Sequence, residues 1–323
     1  MRVIGQSAIN ELITPPDMVS TVRKAFHIYG KSKYVMPERF GFEHDGVTLL
    51  YMPCFTEDIC GTKMLTLVPE NRTRNLPAID GAVLLNDRIT GTVRALLDGK
   101  SITAWRTGAT GALAVSELAP ADAQNLGIVG CGVQGFFQGR CICTVRDIRR
   151  IYLFDKFKSV DALAVYAKDL KKVCPSVEEV ILCSSAEQML SGSDIVVTTT
   201  FSTEPVLPED EKLLRGKTYI AVGSYKPYMK ELPDTLFSIA DAVYADIPYA
   251  CEESGDLSAR LESGLLRREN VHLLHEILDG QMRKPQYGTT VFKTVGMALV
   301  DIVTAEYIYM TALQKGVGTE VEL

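Results

Sequence analysis

The stretch that decides the fold is NLGIVGCGVQG, Asn125 to Gly135. An apolar run leads into Gly130-Cys131-Gly132-Val133-Gln134-Gly135, the spacing G-x-G-x-x-G, and a helix is predicted to open behind it. Each glycine then has its own task. The first permits a tight turn, the second lets a pyrophosphate approach the backbone, and the third allows close packing of helix on strand. The anion lies at the positive end of the helix dipole. A second strand-like run, RRIYLFD (149–155), ends at Asp155, 20 residues beyond Gly135, the offset of the acid that binds the adenosine ribose. A carboxylate there accepts hydrogen bonds from both ribose hydroxyls and repels a 2′-phosphate, so NAD is expected ahead of NADP. Lys156 and Lys158 follow at once and soften that preference.

The same pattern continues down the chain. EEVILC (178–183), DIVVTTT (194–200), TYIAVG (218–223) and DAVYAD (241–246) are short apolar runs, and SVDALAVYAKDLKKV (159–173) reads as a helix. Strands alternating with helices, and apolar through their length, make a parallel sheet buried on both faces. The expected fold class is α/β, with a Rossmann-type doubly wound sheet over residues 120–289. Residues 1–119 differ. TVRKAFHIYGK (21–31) reads as an amphipathic helix, followed by strand-like GVTLLYMP, GTKMLTLVP, IDGAVLLND and RITGTVRALLDG, with a hairpin bending at Asp87-Arg88. This is an antiparallel α+β domain. The opening MRVIGQSAINELI alternates apolar and polar residues and reads as a strand, not a signal peptide. From Thr289 onward the pattern is helical without strand companions, and periodicity leaves open which domain it packs on.

Composition narrows the function. The 323 residues are 46% hydrophobic and 23% charged, with a net charge of −6 and no Lys/Arg-rich run, which excludes an electrostatic footprint for nucleic acid. No apolar span approaches the ~20 residues of a membrane helix, so a cytoplasmic protein is the default. None of the eight cysteines forms Cys-x-x-Cys, and Cys141 and Cys143 fall in a helix where their side chains point apart. Buried free thiols are expected, with no disulfide framework and no metal. His272 and His275 share a helix face in NVHLLHEIL, but there is no H-E-x-x-H, and the acidic DIPYACEESGDL reads as a solvated loop.

Three cations lie in informative surroundings: Arg39 in VMPERF, Lys63 in GTKMLTLVP and Arg106 in ITAWRTGATGALA. Surface ion pairs are the plain alternative for each. A cation inside an apolar strand, however, is paired or functional, because burying it alone is unfavourable. RTGATGALAVSELA reads as a helix start rich in small residues, with hydroxyls at Thr107 and Thr110 suited to a ligand.

DGKSITAWRTGATGALAVSELA, GIVGCGVQG and TTVFKTVGMALVD (289–301) together resemble the ornithine cyclodeaminase/mu-crystallin family, in the expected order over nearly the whole chain. The resemblance implies a nicotinamide-binding Rossmann domain joined to an N-terminal substrate domain that dimerises, to which residues 290–323 return. It implies hydride exchange between a nicotinamide and the carbon of an α-amino or α-imino acid. Arg106 and Arg39 are then expected to hold the substrate carboxylate, and Lys63 to polarise the substrate or pass a proton. Thr107, Thr110, Val133, Gln134, Thr198, Thr199 and Ser224 join the glycines and Asp155 as cofactor contacts. Asp301 is expected either to hold the cofactor or to make a buried structural hydrogen bond.

The departures from the family pattern are as informative. Where cyclodeaminases carry Gly-Ala-Asp-x-Pro-Gly-Lys, this chain has Gly223-Ser224-Tyr225-Lys226-Pro227-Tyr228-Met229, so Tyr225 replaces the acid. A phenol is a poor base at neutral pH yet can donate a proton. The family's Leu-Pro-Thr is Leu76-Pro77-Ala78, without the hydroxyl. The expected activity is therefore imine reduction or amino-acid oxidation, with Tyr225 beside Lys63 and Arg106 in the chemistry. The alternatives are ornithine cyclodeamination with bound NAD and non-catalytic dinucleotide binding.

Overall fold

The computed structural model describes residues 1–74, 76–283, 285 and 287–322. It divides into two compact units, residues 1–106 with 297–323 and residues 107–296. The sequence reading placed the divisions after 119 and 289. The first division falls inside one helix, where no loop marks it, and the second follows a strand that was read as helix.

In the first unit, strand β1 (Arg2–Ile4) stops at Gly5, and helix α1 (Gln6–Leu12) follows. The strand expected over the whole N-terminal stretch is thus short. The buried Ile9 and Leu12 lie three residues apart, a helical spacing that overlaps the alternation. Helix α2 (Pro15–Gly30) begins with a capping box, the Thr14 N–H donating to Asp17 Oδ2 at 3.0 Å, and buries Met18, Val22 and Phe26 along one face. Strands β2 (Phe40–His44), β3 (Val47–Phe55), β4 (Ile59–Leu67), β5 (Ile79–Asp87) and β6 (Val93–Asp98) form consecutive antiparallel pairs. β1 extends the sheet beside β6 in parallel, so the sheet is mixed, not purely antiparallel. A short strand, Thr319–Glu320, closes the far edge against β1. The C-terminal helix, Ala298–Lys315, covers β3, β4 and β5 and packs on α2. On β4, Ile59, Lys63 and Leu65 are buried on one face while Met64 points to the other. Strand parity therefore places Lys63 among the core residues.

Helix α3 (Gly99–Leu118) opens where Asp98 Oδ1 accepts the Ser101 N–H at 2.7 Å. The unit division lies within it. Arg106 is consequently mid-helix, not at a helix start as its small neighbours suggested.

In the second unit, β7 (Asn125–Val129), helix α4 (Val133–Ile142), β8 (Arg150–Phe154), helix α5 (Val160–Val173), β9 (Glu179–Leu182), β10 (Ile195–Thr198), β11 (Thr218–Ala221), β12 (Ala242–Ala245), β13 (Val271–Leu273) and β14 (Thr290–Lys293) follow in order. The sheet runs β13-β12-β14-β11-β10-β7-β8-β9, and every pairing is parallel. β10 and β11 are buried at every position, as the apolar runs required, and so is β14. β14 is a central strand paired with β11 on one side and β12 on the other. Its four residues lead into a long apolar helix, which hid it from periodicity. The strand order reverses between β7 and β10, the position where open parallel sheets bind ligands at their carboxyl ends. Among the described residues, no helix is long and apolar enough to cross a membrane.

Candidate active site

In the first unit, Lys63 is 1% exposed and Asp301, in the first turn of the C-terminal helix, is fully buried. Lys63 Nζ donates to Asp301 Oδ2 at 2.6 Å, and Arg106 Nε donates to Oδ1 at 3.0 Å. One carboxylate thus fixes two cations, and the helix N-terminus favours its charge. Burial pulls the Lys63 ammonium down, Asp301 opposes it, and Arg106 and then Arg39 add to it, leaving its pKa at about 7 instead of 10.5. Arg39 is half-buried. The cluster holds more positive than negative charge, which suits a carboxylate ligand, and its ammonium gives up a proton near neutral pH.

In the second unit, the space around the three fingerprint glycines differs from one to the next. Gly130 has φ +90°, and a Cβ there would lie 2.9 Å from the Thr199 carbonyl oxygen. A Cβ on Gly135 would lie 2.5 Å from the Gly130 oxygen, whereas one on Gly132 would meet nothing within 4 Å. The backbone at Gly132 is therefore open on that side. Gly132 also caps α4 without a side-chain partner for the first-turn amides, and Val133 beside it is exposed. The buried Gln134 Oε1 accepts no hydrogen bond among the described residues. Asp155 is held at the end of β8, with Oδ2 accepting from Cys131 N at 2.8 Å and Oδ1 from Phe157 N and Lys158 N at 3.0 and 3.1 Å. These residues fit a dinucleotide.

Thr199 Oγ1 donates to the Gly130 oxygen at 2.7 Å, tying β10 to the glycine turn. Thr198 is buried, with its hydroxyl on Glu231 at 2.9 Å. Thr107 and Thr110 are buried on α3, and Gln138 Nε2 donates to the Thr107 carbonyl at 2.9 Å. Ser224 is fully buried; its hydroxyl donates to Met229 O at 2.7 Å and pairs with Ser254 Oγ at 2.9 Å. Its side chain therefore braces its own loop. Tyr225 is half-buried, its ring edge-to-face with Phe201 at 6.1 Å.

Other expectations change. His272 lies in the strand Val271–Leu273 and His275 in the helix Leu274–Leu278, so they share no helix face. Asp246 is not solvated but 1% exposed, accepting from Thr294 Oγ1, Val295 N and Gly296 N at 2.6, 3.0 and 2.7 Å. Burial raises the thiols of Cys54 and Cys141 to about 12, and all eight cysteines are free. Among the described residues, no group of three or more His, Cys, Asp or Glu is placed to hold a metal.

The sequence model of the ornithine cyclodeaminase/mu-crystallin family matches residues 2–316. The chain belongs to the ornithine cyclodeaminase/mu-crystallin family. It is 34% identical to a Delta(1)-pyrroline-2-carboxylate reductase from Bacillus cereus over 331 aligned positions, covering 100% of both chains. The solved structure of Thermococcus litoralis Delta(1)-pyrroline-2-carboxylate reductase, in complex with NADH and L-proline, superposes with a TM-score of 0.93 at 31% identity, covering 99% of this chain and 100% of that one. An archaeal alanine dehydrogenase dimer with bound NAD gives a TM-score of 0.90 at 26% identity, over 100% and 99% of the two chains.

Within this ornithine cyclodeaminase/mu-crystallin chain, the structure brings Lys63 and Arg106 together on a residue that the sequence left open, Asp301. Glu231 and Lys293 drew no expectation, and Asp256, in the stretch read as a solvated loop, is fully buried as they are. A signal for one of them was present. Lys293 stands inside the apolar run TVFKTVG, the same pattern that singled out Lys63.

Proposed function

We propose that the chain is an NADH-dependent reductase of α-imino acids, cyclic ones such as pyrroline- or piperideine-2-carboxylate, that also runs the reverse amino-acid oxidation. The observation that carries this reading is the buried Lys63, pinned on Asp301 and poised near pH 7. Reducing a C=N bond consumes one hydride and one proton. NADH, held by Gly130, Gly132, Gly135 and Asp155, supplies the hydride. Arg106 and Arg39 bind the substrate carboxylate, and the bond to Asp301 fixes the plane of the Arg106 guanidinium. Lys63 gives its proton to the substrate nitrogen, a transfer favoured by a donor whose pKa matches the working pH. Tyr225 borders the substrate and donates a hydrogen bond. Ornithine cyclodeamination needs a base where Tyr225 stands, and a phenol does not serve as one at neutral pH.

The chain acts as a homodimer in the cytoplasm. Phe40, Phe42, Val47 and Val35 leave an apolar surface at one edge of the first unit's sheet, at exposures of 48, 64, 40 and 63%, and eight free thiols suit a reducing compartment. The test is a panel of imino acids with NADH and NADPH, followed by absorbance, beside ornithine followed by ammonia release. Net NADH oxidation with cyclic imino acids is expected. Ammonia from ornithine without net NADH change would establish the cyclodeaminase instead, and binding without turnover would establish a binding protein.

A further inference from the structure

The carboxyl ends of β10 and β11 are joined by one buried carboxylate. Glu231 Oε1 accepts the N–H and Oγ1 of Thr200 at 2.6 and 2.8 Å; Oε2 accepts the Gly223 N–H at 2.6 Å and Thr198 Oγ1 at 2.9 Å. Thr199, between the two threonines, holds the glycine turn through the Gly130 carbonyl. A continuous line of bonds therefore runs from the fingerprint turn, across β10, to Gly223 at the start of the loop that carries Tyr225. Gly223 is required there, because a Cβ would lie 2.0 Å from the Thr200 carbonyl oxygen. Glu231 is itself anchored, since its N–H and that of Leu232 donate to Asp256 Oδ1 at 2.7 and 3.0 Å. Lys293 Nζ lies 3.5 Å from Asp256 Oδ2 and makes no hydrogen bond among the described residues. Glu231, Asp256 and Lys293 are all 0% exposed.

A buried carboxylate that only satisfied local donors would bond along one segment. This one bonds to two strand ends on the same side of the switch point, where the strand order places the nicotinamide half of a dinucleotide site. We propose that Glu231 is a positioning residue for that half: it clasps the ends of β10 and β11 and sets the loop Ser224–Tyr228 against the nicotinamide, with Lys293 balancing the buried charge. The inference rests on the dinucleotide reading above.

Glu231→Gln tests it sharply. Each carboxylate oxygen takes one backbone N–H, so whichever way an amide is turned, its NH2 faces either Thr200 N or Gly223 N and that strand end is released. In the full-length protein we expect the NADH dissociation constant to rise about tenfold, kcat to fall roughly 10- to 100-fold, and the primary deuterium isotope effect on kcat with 4-deuterated NADH to increase. Loss of stability alone does not move the isotope effect. Thr200→Val, which removes one hydroxyl donor and keeps the backbone bond, is expected to shift the same quantities by about threefold. A folded Glu231→Gln protein with wild-type NADH affinity, kcat and isotope effect overturns the inference. If that variant does not fold, an unchanged NADH affinity and isotope effect in Thr200→Val overturns it. A wild-type chain that neither binds NADH nor reduces an imino acid overturns the underlying reading instead.

Discussion

Each unit buries one lysine beside carboxylates, and the two sites are charged in opposite senses. In the first, a single carboxylate, Asp301, holds Lys63 at 2.6 Å and Arg106 at 3.0 Å, with Arg39 adding to the positive field. In the second, a single ammonium, Lys293, faces Asp256 at 3.5 Å, and Glu231, whose N–H donates to that aspartate at 2.7 Å, has its carboxyl raised above the ordinary range chiefly by burial. Excess cation leaves a binding preference for an anion and makes a proton mobile. Excess anion finds its partners in backbone amides and becomes a clasp. The same residue types, packed at the same depth, thus leave an excess of positive charge in one cluster and of negative charge in the other.

The comparison is broken most directly by deleting each lysine. Lys63→Ala is expected to lower kcat for imine reduction by roughly 10²- to 10⁴-fold, the range of a lost general acid, while NADH affinity measured by fluorescence stays within a few-fold. Turnover unchanged in that variant removes Lys63 from the mechanism. Lys293→Met should do the reverse. It leaves two buried carboxylates without their cation, and urea unfolding should show a loss of about 3–5 kcal/mol. The protein that remains folded should retain its proton chemistry. A Lys293→Met protein of normal stability would mean that the second cluster is not an ion pair in any energetic sense.

A smaller effect sharpens the same contrast. Lys63 acts as an acid only while protonated, so kcat/KM for reduction should be highest below about pH 7 and decline above it, and the reverse oxidation should rise over that range. Asp301 is the influence that keeps the Lys63 proton on. In Asp301→Asn, burial and the two arginines act unopposed, and the inflection should move to lower pH. A shift to higher pH would show that the arginines do not govern the site.

The contrast also marks what a linear reading reveals. Lys63 was legible because a charge inside a strand pattern is conspicuous, and Asp155 because its offset from Gly135 is set by one turn and one helix. Asp301 was singled out without its partner and Glu231 not at all, since Lys63 lies 238 residues from Asp301 and Thr198 lies 33 from Glu231, and neither sits in a pattern that names the partner. β14 escaped because a strand of four residues before a long apolar helix is too short to carry a period of its own. Tyr225 was conspicuous through its departure from the family pattern, and the loop it stands on was not known to be tied at its base.

The first unit is made from the two ends of the described chain, and this has a consequence for how the protein is synthesised. Residues 107–296 leave the ribosome as one uninterrupted stretch and contain every strand of their own sheet. Lys63 emerges long before them, yet its counter-ion, Asp301, emerges after them. Through most of translation the β4 lysine has no carboxylate to meet, and the helix that covers its sheet has not been made. The second unit is therefore free to fold first, and the Lys63–Asp301 pair is completed only when the helix that carries Asp301 arrives.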